Sequence, residues 1–149
     1  MSDKQPIIMN MPGNLVFTKD GKWLHDGVEV THKGVYLYFS KHIRHDSTLN
    51  KYLVQVDGKA VEVEVEDTAK VVKTIIKDSN NFLIYLNDDT QERLDSSTLA
   101  VSNEDIWYCR VGNNKEWARL LRPAVQALLP LVKEENGEYF ILDCKVQRK

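Results

Sequence analysis

Four Asp-Gly or Asn-Gly dipeptides constrain this chain more than any other feature. Asp20-Gly21, Asp26-Gly27, Asp57-Gly58 and Asn136-Gly137 each fall between runs of alternating or apolar residues. A type I′ turn needs positive φ at both central residues, which glycine adopts freely and Asp or Asn tolerates. Each dipeptide therefore predicts a tight hairpin. The first two are so close together that only a meander of very short strands fits: Leu15 to Lys19, Lys22 to His25 and Val28 to Val30.

A helix follows in the periodicity. Thr31 is placed to cap it, and Val35, Phe39 and Ile43 recur every four residues up to His45. Tyr52 to Val56 and Ala60 to Val65 then read as a hairpin with Val61, Val63 and Val65 on one face and Glu62, Glu64 and Glu66 on the other. Val71 to Lys77 and Phe82 to Asn87 are two more strands. Asp88 to Ser97 reads as a loop and Ile106 to Val111 as a strand. Pro123 suits the first position of a second helix, while Pro130 predicts a kink or early stop. Tyr139 to Val146 is the last strand. The pattern predicts an α+β fold of two small lobes of short antiparallel strands, each with one main helix, in the manner of a structural repeat. The expected division is a tail at 1–13, one lobe at 14–78 and a second at 79–149. With no flexible linker between them, the lobes are expected to pack as one unit.

Composition narrows function by exclusion. The chain has 149 residues, 42% hydrophobic and 28% charged, enough for one core or two small ones. A net charge of -2 from 20 basic and 22 acidic residues supplies no long-range attraction to nucleic acid or an anionic membrane. No apolar run approaches the roughly 20 residues that span a bilayer, and a cytoplasmic location is expected. Cys109 and Cys144 lack a CxxC partner and read as reduced thiols.

The candidate residues form three groups. Trp23, His25 and Asp26 combine an indole, an imidazole and a carboxylate at one turn, the components of a ligand pocket; their structural alternative is a core tryptophan beside a turn-shaping aspartate. Trp107, Trp117, Arg119 and Arg122 are the residue types that anchor protein interfaces, and a homo-oligomer through them is one expectation. The histidines, His25, His32, His42 and His45, all lie in the first third, with His42 and His45 expected on one helix flank. Two ligands do not make a metal site, so no metal is assigned. The Glu62, Glu64, Glu66 and Asp67 stripe reads as a solvated sheet face, since alternate residues on one strand stand ~7 Å apart. No GxSxG, Walker or GxGxxG motif appears, and no catalytic residue or cofactor is assigned.

Gly21-Lys22-Trp23-Leu24-His25-Asp26-Gly27, Val63-Glu64-Val65-Glu66-Asp67, Asn87-Asp88-Asp89 and Arg122-Pro123 together resemble the DUF1285 family, a bacterial domain of unknown function. Asn113 to Trp117 and Pro130 depart from that pattern. The resemblance implies an α+β protein with two related halves and a role in signalling or small-ligand binding, without an established reaction. The resulting expectation is a non-enzymatic module binding a small molecule or a protein. Two alternatives stand beside it: an enzyme with a site around His25 and Asp26, and a structural homo-oligomer component.

Overall fold

Asp26-Gly27, Asp57-Gly58 and Asn136-Gly137 fulfil the turn chemistry in the computed structural model, which describes residues 14–149. Both φ angles of each pair are positive: 50° and 81°, 50° and 76°, 54° and 79°. The strands they join pair directly across the two-residue loops, as His25 with Val28, Val56 with Lys59, and Glu135 with Glu138. Asp20-Gly21 differs. Only Gly21 is left-handed, at 84°, because the loop is one residue longer: Thr18 N donates to Lys22 O at 2.8 Å, and Gly21 N to Thr18 O at 3.0 Å. The expected tail at 1–13 lies outside the described residues.

The chain divides into two compact units, the first ending at Ala69 and the second starting at Lys70. The first contains β1 (Leu15–Phe17), β2 (Trp23–His25), β3 (Val28–Glu29), α1 (Lys33–His42), β4 (Arg44–Asp46), β5 (Lys51–Val56) and β6 (Lys59–Val65). Its sheet runs β3-β2-β1-β6-β5-β4. Two antiparallel meanders thus meet at a parallel seam, where Leu15 pairs with Val63 and Phe17 with Val65. Leu15, Phe17, Trp23, Phe39, Val54 and Val63 are buried in this unit. The helix is shorter than its periodicity suggests. Its N-cap is His32, without a side-chain cap bond, rather than Thr31. At the other end Ile43 turns extended, and Arg44 to Asp46 pair with β5 instead, because sheet pairing there outweighs the helical repeat.

The second unit contains β7 (Lys70–Asp78), β8 (Asn81–Leu86), β9 (Gln91–Arg93), β10 (Ala100–Val101), β11 (Trp107–Val111) and β12 (Glu116–Leu120), then α2 (Arg122–Leu128), β13 (Lys133–Glu135), β14 (Glu138–Ile141), β15 (Cys144–Lys145) and β16 (Gln147–Arg148). Read from β9 its main sheet runs β9-β8-β7-β12-β11-β10, with β16 added beyond β10, and β13-β14-β15 form a separate small sheet. The six-strand order repeats that of the first unit, parallel seam included: Lys70 pairs with Ala118 and Val72 with Leu120. Both seams join residues 48 apart in sequence. The helices do not repeat. α1 connects β3 to β4, where the second unit has only a 3-10 turn at Ser96–Thr98, and α2 follows β12.

Several expectations change in this unit. β7, placed at the end of the first lobe from sequence, is the centre of the second sheet, because a tight turn with Ser79 at φ 57° pairs it with β8. The polar stretch Asp88 to Ser97 contains β9, whose Gln91 and Arg93 pair with Tyr85 and Leu83. β12, β10 and β13 have no sequence counterpart. The expected final strand is broken at Leu142-Asp143, which turns with both φ values positive, 48° and 64°, in place of a glycine pair. Pro130 acts as expected, with α2 ending at Leu128 and a 3-10 turn occupying Leu129–Leu131.

Register within β7 is set by a bulge between Val72 and Thr74. The extra residue lets Val72 and Ile75 both reach the core. Asn87 then clasps Val71: its backbone N donates to Val71 O at 3.2 Å, and its buried Oδ1 accepts from Val71 N at 3.0 Å. The core of this unit gathers Leu99, Val101, Trp107, Cys109, Leu120 and Leu128 with the inner faces of β7 and β8. Among the described residues no helix is long and apolar enough to cross a membrane.

Candidate functional site

Trp23, His25 and Asp26 lie on one hairpin but have separate fates. Trp23 is 2% exposed, with its ring between Phe17 and Phe39 at 5.0 Å from each. Its indole Nε1 donates to the buried Ser40 Oγ at 2.9 Å. This satisfies the only polar atom of the side chain and leaves no face for stacking a ligand. Asp26 shapes the turn by accepting from Asn14 N at 2.9 Å, and its other oxygen stands 3.7 Å from His25 Nε2. The hairpin brings His25 and Asp26 together and assigns Trp23 to the core.

The histidines are similarly dispersed. His42 ends α1 with its ring 4.4 Å from Tyr38, while His45, on β4 rather than the helix, contacts Tyr52 and Asn50. Among the described residues no three His, Cys, Asp or Glu side chains converge as metal ligands would. In the acidic stripe, Glu62 meets Lys51 at 3.3 Å and Glu66 accepts from Lys19 N.

The second group is partly reunited. Trp107, Arg119 and Arg122 all line one open groove of about 400 Å³ where β11 begins, β12 ends and α2 starts. Trp107 is 6% exposed and contributes to both core and groove. The apolar wall is Ile106, Leu120, Val125 and Leu129, the last half-exposed at the point where Pro130 stops the helix. Asp105 and Gln126 complete the polar lining. Trp117 is absent from this groove. It is half-buried on the opposite side of β12 from Ala118, beneath Arg110, whose guanidinium carbon is 3.9 Å from the ring centroid. Lys149 Nζ stands 5.5 Å from the same ring and 4.4 Å from that of Tyr108. The sequence named three groove residues by type; the wall from α2 became legible only once the helix had been placed.

Two charged features escaped the sequence reading. Lys70 Nζ and Asp88 Oδ2 form an ion pair at 2.8 Å, with their side chains 16% and 13% exposed. Burial alone would raise the Asp88 carboxyl, but hydrogen bonds from Lys70 and Thr90 and the Lys70 charge hold it below its usual value. Asn87-Asp88-Asp89 is therefore a structural clamp on the start of β7, with Asp89 left-handed at φ 67°. Nearby Glu116 is pushed up, first by burial and then by the Asp88 and Glu92 charges, against the pull of Lys70. Burial, with Glu92 and Asp95, pushes the Cys109 thiol up to about 12, which leaves it without nucleophilic thiolate at neutral pH.

No family profile matches the sequence, and no curated protein matches it. The fold does match solved structures. A DUF1285 family protein from Silicibacter pomeroyi superposes with a TM-score of 0.72 at 14% identity, covering 98% of this chain and 88% of that one. A second DUF1285 family protein, from Shewanella baltica, gives a TM-score of 0.55 at 15% identity over 81% of this chain and 91% of its own. The likeness that the Trp23 hairpin, Asn87-Asp88-Asp89 and Arg122-Pro123 suggest is thus present in the fold.

Proposed function

We propose that this chain is a non-enzymatic small-ligand-binding module, with its site in the groove where the start of β11 and the end of β12 meet α2. A role in signalling is the expectation that the resemblance to DUF1285 proteins carries to such a module. One observation carries the reading: Trp107, Arg119 and Arg122, chosen by residue type alone, line the same concavity together with a continuous apolar wall. Ligand sites are typically concavities of this size, apolar over most of their lining and polar at a few convergent points. The buried Cys109 thiol and the Trp23 indole, already bonded to Ser40, contribute core packing rather than a second site.

The three tryptophans make this testable without knowing the natural ligand. Each gives one indole N–H signal in a nitrogen-proton correlation spectrum. A fragment library screened by that spectrum should yield binders that shift the Trp107 signal while leaving that of Trp23 in place. Binders that move only Trp117, or none that move Trp107, would refute the groove as the site.

A further inference from the structure

Two buried tryptophans use their indole N–H groups differently, and the difference falls on the groove. Trp23 Nε1 is sealed in the core by Ser40 Oγ at 2.9 Å. Trp107 is nearly as buried, at 6% exposure, yet its Nε1 has no acceptor among the described residues. Every buried side-chain nitrogen and oxygen of the described residues does have a partner. The Trp107 N–H is therefore not shut away: it keeps access to solvent, and Trp107 reaches solvent in the wall of the groove. An indole N–H only donates, so a ligand that covers it must bring an acceptor or leave the donor unsatisfied.

The rest of the lining specifies what carries that acceptor. Ile106, Leu120, Val125 and Leu129 form an apolar wall, and Leu129 leaves 50% of its surface in water at the rim, where an apolar ligand body would cover it. Arg119 already has an interaction partner of its own. The exposed Arg122 and Asp105 are opposite in sign, so together they make no net demand for charge. A carboxylate laid on this wall would exchange its water for one neutral donor, at a large desolvation cost. A carbonyl loses far less, and unlike a hydroxyl it brings no proton of its own to be placed.

Resting on the groove as the ligand site, we infer that its ligand is an uncharged apolar molecule bearing a carbonyl, as in a ketone or ester: the oxygen accepts from Trp107 Nε1 and the body lies on Leu120, Val125 and Leu129.

The probes are acetophenone and α-methylstyrene, which share ring and shape and differ only in carrying a carbonyl oxygen or a methylene. Binding is read on the indole N–H signals of the isotope-labelled full chain, assigned with Trp23→Phe and Trp117→Phe. Without a probe, the Trp107 N–H should exchange with solvent faster than that of Trp23; equal protection of the two would show that it is not open and overturn the inference. Saturating acetophenone should move the Trp107 proton downfield and slow its exchange roughly tenfold more than saturating α-methylstyrene does, the worth of one net hydrogen bond. α-Methylstyrene should perturb the same signal without the downfield move. Gln126→Phe, a replacement at an exposed position of the groove lining, should abolish the response to both, with near-UV circular dichroism confirming that the variant is folded. If α-methylstyrene acts on Trp107 and loses its effect in Gln126→Phe, while acetophenone gives no downfield move, the groove stands as a ligand site and the carbonyl inference is overturned. If neither probe acts on Trp107, or Gln126→Phe changes nothing, the groove reading itself fails.

Discussion

Replacing Ser40 by Ala tests the assignment of Trp23 to the core most sharply. The substitution removes one oxygen from a residue 1% exposed and leaves the Trp23 indole N–H without that acceptor, 2.9 Å away in the native structure. A buried donor left unsatisfied costs about 1–3 kcal/mol. For a chain of this length about 2 kcal/mol corresponds to a fall in Tm of roughly 4–8 °C. Trp23→Phe removes the donor but also the second ring from between Phe17 and Phe39, and the resulting cavity costs about 1–2 kcal/mol. Because the two changes share one hydrogen bond, the double variant should be less destabilised than the sum of the singles by about 1 kcal/mol. Urea unfolding followed by far-UV circular dichroism gives all three free energies. Additivity within about 0.5 kcal/mol, or a Ser40→Ala chain as stable as the parent, would show that the bond is not formed.

The Lys70–Asp88 pair gives a pH signature. The Asp88 carboxyl titrates lower when folded than its ordinary 3.8, so its contribution is fully present well above 3.8 and is lost as pH falls through the lowered folded value. Lys70→Ala should cost about 1.5–3 kcal/mol at pH 7 by thermal denaturation, and the difference from the parent should shrink on acidification below that window; an equal loss at every pH contradicts the pairing. Cys109, with its thiol near 12, should resist Ellman's reagent at pH 8 while half-buried Cys144 reacts; two equally fast thiols would place Cys109 at the surface. Trp117→Ala should leave the mass from light scattering unchanged, since its ring is covered within the chain by Arg110; a drop to half the parent mass would instead make that residue a self-association anchor.

The turns were the most legible part of the fold because their chemistry is local. Asp26-Gly27, Asp57-Gly58 and Asn136-Gly137 state their φ values in their own residues, and the alternation around them marks the strands. Leu142-Asp143 carries no such mark. A bulky leucine at φ 48° is held there by the pairing of Ile141 with Cys144, a constraint written outside the dipeptide. β12 was hidden for a similar reason: Glu116 to Leu120 mixes charged and aromatic residues and earns its strand from its neighbours β11 and β7. For the site, residue type was sufficient to select Trp107, Arg119 and Arg122, whereas the supposed Trp23 pocket failed because an alternating strand does not say which face meets a helix. Ser40, the hydroxyl that claims the Trp23 indole, is 17 residues away and gives no signal of that role.

The parallel seams at the centre of each sheet bear on how the chain folds. Every hairpin in the two units joins residues close in sequence and can form in microseconds, but each seam must first close 48 residues of chain. That closure costs about 3–4 kcal/mol of entropy beyond a fixed term. Until it happens, the three-stranded meanders on either side present bare inner edges, β1 against β6 and β7 against β12. The same edges on two molecules are equally complementary, so at high concentration refolding should produce dimers that exchange whole meanders, each seam made between chains instead of within one.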